Sequence, residues 1–262
     1  MIQRNAIVEW RRSAPWKESR FLEQDMVISR AIISIFNDGY LGSKLAFRGG
    51  TAIHKLFLAP SERYSEDIDF VQVDAEPIGR VLDGIRAAMS FLGEPRTKRK
   101  ASSNVLTYSF EAEEPQGAVS KLKVEINSRE HVPVYPREAR PFRMESQWFT
   151  GACSVLTYRF EELIGTKVRA LYQRKKGRDL FDIHKALGSG TLDVAATMEC
   201  YRRYMEFLGY RIPTRAEYAM NLEEKASDPN FRGDILPFLA QGADYDIDEA
   251  HETVRERILI HM

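Results

Sequence analysis

The chain has 262 residues, with 38 lysines and arginines against 38 aspartates and glutamates. That length has room for one large or two small domains with ample core, and the charge balance selects no partner through bulk charge. Two cysteines, Cys153 and Cys200, do not make a disulfide framework. Together with a polar N-terminus and no apolar run of membrane-spanning length, they point to a cytoplasmic protein without a membrane span.

In chain order, residues 1–18 read as an arm or short helix. A helix is expected over 19–37, where Ile28, Ala31, Ile32 and Ile35 form one core-facing stripe, with Gly39 as its stop. Residues 45–48 form a short strand that runs straight into Gly49. A helix over 51–58 ends at Pro60, and a loop over 61–66 carries Arg63 and Ser65. His54, on that helix, reads as a packed or exposed helix residue rather than a ligand. A strand over 68–73 follows, then a helix over 78–92 with Pro77 at its first position. The run RTKRK over 96–100 reads as a basic loop, either solvated or bound to nucleic acid. Alternating strands over 104–110 and 120–127 form a hairpin through a turn at Pro115.

The proline-bearing stretch 128–156 reads as irregular, and a domain junction near its end gives domains 1–150 and 151–262. The pattern then turns helical. A helix over 160–174 has Glu161 and Glu162 in its first turn, which suits the helix dipole. Gly177 breaks it. A second helix over 178–187 places Asp179 and Asp182 on a shared face, and helices continue to the C-terminus. RKKGR, over 174–178, is the second basic run. Cys153 has no local base and reads as structural.

The candidate chemistry is concentrated in residues 47–73. Alternate residues of a strand face the same way, so Asp67 and Asp69 point to one side while Ile68 and Phe70 enter the core. Two carboxylates side by side repel unless a cation sits between them, and hard oxygen ligands suit magnesium, which also binds substrate phosphates. Gly49 and Gly50 allow the backbone to approach a phosphate, and the following helix start offers free N–H groups. Thr51 either caps that helix or donates to a phosphate. The combination resembles the signature of the DNA polymerase beta-like nucleotidyltransferase superfamily. That superfamily needs a third carboxylate on a neighbouring strand, to complete the metal site and draw a proton from the attacking hydroxyl. Glu125, off the core face of 120–127, is the candidate; the other reading is an exposed residue paired with Lys121 or Lys123.

FRGGTAIHK, YSEDIDF, LKVEIN and EELIGTKVRALYQRKKGRDLFDIH follow one another in that order, and with the tail NLEEKASDPNFRGDILPFL they resemble the AbiEii/AbiGii abortive-infection nucleotidyltransferases over residues 20–250. The resemblance implies an α/β fold, with a mixed nucleotidyltransferase sheet flanked by helices and a helical C-terminal domain that closes the nucleotide cleft. It implies that Gly49, Gly50, Thr51 and Ser65 surround a nucleoside triphosphate, with Arg48 as a neighbouring cation, and that Asp67 and Asp69 hold magnesium. Lys167 would contact the phosphates, and Asp182 or Asp179 would be essential. Members of the family act as toxins paired with antitoxins, and some modify the 3′ end of transfer RNA. The alternatives are transfer to a small molecule or protein side chain, or a non-catalytic nucleotide-binding module.

Overall fold

The computed structural model describes residues 2–113 and 116–262, so the expected turn over 115–117 begins outside the described residues. It divides into two compact units, Met1–Tyr158 and Arg159–Met262. The junction therefore falls beyond the 150/151 boundary expected from sequence, because the last strand of the sheet runs to Thr157.

In the first unit, α1 (Arg4–Trp10) and α2 (Ser19–Asn37) precede α3 (Gly39–Lys44), β1 (Leu45–Arg48) and α4 (Gly49–Leu56). Then come β2 (Asp67–Gln72), α5 (Gly79–Ala88), β3 (Arg96–Arg99), β4 (Ser103–Glu111), β5 (Val119–Asn127), β6 (Glu138–Glu145) and β7 (Thr150–Thr157). The seven strands form one mixed sheet in the order β3-β4-β5-β2-β1-β7-β6. β2 pairs antiparallel with β1 and parallel with β5, and β7 runs parallel to β1. The expected stripe of α2 is buried, with Ile28, Ala31, Ile32 and Ile35 at 0 % exposure. Ile68, Phe70, Val124, Ile126 and Leu106 are buried as the alternation predicts. The Phe47 and Phe70 ring centroids lie 5.6 Å apart, which places an aromatic contact beneath the β1–β2 pair.

Four local expectations are corrected. Gly39 stops α2 but also opens α3, whose N-cap Asp38 accepts hydrogen bonds from the backbone N–H groups of Tyr40 and Leu41. α4 begins at Gly49 rather than Thr51, so Thr51 sits inside the first turn and caps nothing. RTKRK is mostly an edge strand, β3, rather than a loop. Finally, residues 138–145 and 150–157 pair as an antiparallel hairpin instead of forming irregular chain. Pro141 is tolerated there because β6 lies at the sheet edge.

The second unit holds α6 (Phe160–Gln173), α7 (Gly177–Gly188), α8 (Val194–Phe207), α9 (Arg215–Ala226), α10 (Pro229–Gly233) and α11 (Ile247–Arg257). Leu163, Ile164, Val168 and Leu171 of α6 are buried with Leu180 and Ile183 of α7. α6 and α8 approach closely at Gly165, where a Cβ would lie 2.7 Å from Cys200 Cβ. The end of α6 is closed by the buried Lys225, whose ammonium donates to the carbonyls of Leu171 and Tyr172. Among the described residues, no helix is long and apolar enough to cross a membrane.

Candidate active site

Sheet register gathers the charged residues of the first unit. Asp69 is paired with Glu125 on β5 and with Arg48 on β1, and Asp67 is paired with Lys123. Residues paired across strands share a face, so both aspartates stand with Glu125, Lys123 and Arg48 on the side opposite Ile68 and Phe70. The register exists because β2 lies between β1 and β5 with a buried apolar face, which a one-residue slip would expose.

Gly49 stands directly against this row. Its φ of 79° lies in the left-handed region, and a Cβ there would sit 2.4 Å from Asp69 Oδ2. Glycine is required for both reasons. At Gly50 a Cβ would meet Arg63 Nη2 at 2.4 Å and Ser65 Oγ at 3.2 Å. The first turn of α4 therefore lies between the Asp69 carboxylate and the Arg63 guanidinium. Its N-cap, Arg48, makes no side-chain capping hydrogen bond, and the first N–H groups of a helix are donors without helical partners. Thr51 Oγ1 shares a hydrogen bond with Ser65 Oγ at 2.8 Å and donates to the carbonyl oxygen of Asp67. This ties the helix start to the aspartate strand. A cavity of about 380 Å³ shares Thr51, Arg63 and Ser65 with this cradle and continues to Trp10, Trp16 and Asp25. His54 is buried, as a packed helix residue.

Burial and neighbouring charges set the electrostatics of the row. Burial pushes the Asp69 carboxyl above its ordinary range, and the charge of Asp67 pushes it further; Lys123 and Arg48 oppose them. Lys123 Nζ lies 2.9 Å from Asp67 Oδ2 and 3.4 Å from Glu125 Oε2. Burial alone would lower the Lys123 ammonium, but Asp67, Asp69 and Glu125 raise it above its usual value and keep it charged.

Glu125 is in register with Asp69, but its carboxylate is directed elsewhere. Oε1 accepts from Ser103 Oγ at 2.6 Å and from Lys100 Nζ at 3.0 Å. Burial acts to raise its pKa, yet Ser103, Lys100 and Lys123 outweigh that and hold it below the usual carboxylate range. A carboxylate so engaged is a poor proton acceptor. Among the described residues, no three histidine, cysteine or acidic side chains are grouped to hold a metal ion. The metal-ligand pair the geometry offers is therefore Asp67 and Asp69, whose hard oxygens, shared face and mutual repulsion fit a magnesium ion. Glu125, the expected third carboxylate, stands in register with Asp69 and is held by Ser103, Lys100 and Lys123. Sequence reasoning missed Ser103 and Lys100 as its partners; neither neighbours it in the chain. Arg48, in register with Asp69, pairs with Glu130 at 2.5 Å.

In the helical unit, Lys167, Asp179 and Asp182 do meet. Lys167 Nζ lies 2.8 Å from Asp179 Oδ1 and 2.9 Å from Asp182 Oδ2, and Arg174 donates twice to Asp179. Both aspartates have 0 % exposure. Burial acts to raise Asp179, but Lys167 and Arg174 override it and hold the carboxyl below its ordinary value. The cluster joins α6 to α7 as a buried ionic network. Both cysteines are free, and burial pushes their thiols up, Cys153 to about 11 and Cys200 to about 12, so neither is an activated nucleophile.

Comparisons with known proteins give the family and the fold. Residues 31–257 match the family described as "Nucleotidyl transferase AbiEii toxin, Type IV TA system". The fold is similar to that of MenT4, a nucleotidyltransferase toxin from Mycobacterium tuberculosis, at TM-score 0.70 and 17% identity, over 100% of this chain and 91% of that one. It is also similar to JHP933 from Helicobacter pylori, at TM-score 0.53 and 19% identity, over 93% of each chain. A putative nucleotidyltransferase from H. pylori gives TM-score 0.55 at 19% identity, over 93% of this chain and 96% of that one. No curated protein sequence matches. A glycine turn set against paired strand aspartates, in a chain that matches the family over most of its length, has one meaning: the protein belongs to the AbiEii family of nucleotidyltransferase toxins of type IV toxin–antitoxin systems.

Proposed function

We propose that the enzyme transfers a nucleotide from a nucleoside triphosphate to the 3′-terminal hydroxyl of a transfer RNA in the cytoplasm, using magnesium held by Asp67 and Asp69. The observation that carries this reading is the placement of Gly49 against Asp69, with a notional Cβ only 2.4 Å from Oδ2. It brings an uncapped helix start and a metal-binding carboxylate to one point. The family resemblance supports the transfer RNA acceptor, and family membership supports a cognate antitoxin.

Magnesium would neutralise triphosphate charge and favour the ionised acceptor hydroxyl. The rest falls to the chain. The N–H groups of Gly49, Gly50 and Thr51 offer donors to phosphate oxygens at a positive helix end. Arg63, beside Gly50, adds a fixed cation. The hydrogen bonds of Thr51 hold the cradle and the aspartate strand in one piece, so the site is organised before substrate arrives. Lys123, between Asp67 and Glu125, offsets the charge of the carboxylates until a metal takes its place. Catalysis here is positioning and charge stabilisation, as phosphoryl-type transfers require. We include Lys167, Asp179 and Asp182 of the helical unit in the proposal as residues on which transfer depends.

The test is incubation of purified protein with magnesium and each labelled nucleoside triphosphate, together with total RNA or total protein. The expected result is label in RNA of transfer-RNA size, abolished when the RNA 3′ end is first oxidised by periodate. Label confined to protein or to small molecules would refute the acceptor assignment.

A further inference from the structure

The two basic runs of the sequence part company in the structure. RKKGR is neutralised within the helical unit: Arg174 binds Asp179, Lys175 binds Asp228, and Lys176 and Arg178 bind Asp234. RTKRK is not. The side chains of Arg96 and Lys98 are exposed and have no hydrogen-bond or ion-pair partner among the described residues.

Register shows where these charges point. Lys98 is paired with Val105, Val105 with Glu125, and Glu125 with Asp69. Arg96 is paired with Thr107, Thr107 with Lys123, and Lys123 with Asp67. Both rows cross the sheet on the face that carries the aspartates. Lys121 shares that face by alternation on β5, and Lys100 reaches the same row through Glu125 at 3.0 Å. Arg99 does not: it is paired with Asn104, Asn104 with Ile126, and Ile126 with Phe70, on the opposite face. Between the basic residues, β4 contributes Val105, Thr107 and Ser109, none of them charged. The result is a basic ledge running from the edge strand toward Asp67 and Asp69.

We propose that this ledge, with Arg96, Lys98 and Lys121 as its free cations, binds the phosphate backbone of the single-stranded RNA end that presents the acceptor hydroxyl. The proposal rests on the RNA-acceptor reading above. A single-stranded polyanion fits because Arg96 and Lys98 on β3 and Lys121 on β5 present exposed cations on one face of the sheet, with no acidic residue of β4 between them. Edge-strand lysines also protect sheets from edge-to-edge pairing. That role is served by Arg99 as well as by Lys98, whereas RNA binding at the aspartate face is served by Lys98 alone.

The test is binding of a 5′-labelled single-stranded RNA with a free 3′ hydroxyl, followed by anisotropy over a salt series, alongside transfer kinetics. The combined variant Arg96→Gln, Lys98→Gln, Lys121→Gln should weaken binding about tenfold or more and lower the slope of log K against log salt by about 2, as expected for three lost phosphate contacts on a single strand. KM for RNA should rise, while KM for the nucleoside triphosphate and kcat at saturating RNA stay unchanged. Lys98→Gln should weaken binding and its neighbour Arg99→Gln should not. Equal effects of Lys98→Gln and Arg99→Gln, or a combined variant with wild-type affinity and slope in an enzyme that labels RNA, would overturn the ledge. A wild type that labels protein but not RNA would instead overturn the acceptor reading, and the ledge with it.

Discussion

Gly49 and Asp69 occupy the same small volume: the α-carbon of one faces the carboxylate of the other so closely that a methyl group on Gly49 would lie 2.4 Å from Oδ2. The Asp69 side chain cannot give way without leaving the row it forms with Glu125 and Arg48. Gly49→Ala should therefore cost stability by about 1–2 kcal/mol from the left-handed backbone alone, and should displace the Asp69 carboxylate, the proposed metal ligand. Thermal unfolding would show a modestly destabilised, folded protein, and transfer should fall at least a hundredfold. Transfer at the wild-type rate would show that this contact does not define the site.

Asp69 is held above its ordinary range by burial and by the charge of Asp67. A carboxyl raised in the folded state adds stability below its unfolded pKa, and that contribution is lost as pH climbs through the raised folded value. At neutral pH without metal, ionised Asp69 therefore opposes folding. Asp69→Asn should raise the melting temperature of the metal-free protein at pH 7 and make no such difference at pH 3. In the wild type, magnesium affinity should increase as pH rises through the Asp69 range, because binding displaces a proton. A lower melting temperature for Asp69→Asn at pH 7 would contradict this.

Lys123 stands 2.9 Å from Asp67 Oδ2, where it competes with any divalent cation for that oxygen. Lys123→Gln should tighten magnesium binding, measured by calorimetry in the absence of nucleotide. Weaker binding would mean that the lysine organises the aspartates more than it competes for them.

Much of this site is legible in the chain. Asp67 and Asp69 declare themselves through strict alternation with Ile68 and Phe70, a period-two signal that burial enforces. The glycines stand directly after a strand, where only a turn into a helix fits. What the chain conceals is non-local. The strand character of 96–99 is invisible because all four residues are exposed and polar, three of them charged, and β6 and β7 have weak apolar alternation with Pro141 in one of them. The engagement of Glu125 by Lys100 and Ser103 depends on strand order, which spacing does not encode. RKKGR looks like a free basic patch until α9–α10 and the residues after them supply Asp228 and Asp234 as partners.

The Lys167–Asp179–Asp182 cluster separates two roles by experiment. Lys167→Ala leaves two fully buried carboxylates short of a partner, and breaking a buried pair costs about 3–5 kcal/mol, so the variant should unfold far more readily in urea. Asp182→Asn keeps the shape and one acceptor oxygen. It should remain folded and lower kcat without changing KM for the nucleoside triphosphate. Unchanged kcat in folded Asp182→Asn would assign the cluster to packing of α6 on α7.

The most direct test of the central claim is nucleotide transfer by wild type and Asp69→Asn, side by side, with magnesium, labelled nucleoside triphosphates and total RNA. Circular dichroism should first show that both are equally folded. The account predicts 3′-labelled transfer RNA from the wild type and none above background from Asp69→Asn. Equal labelling by the two proteins would place the chemistry away from the Gly49–Asp69 site and contradict the account.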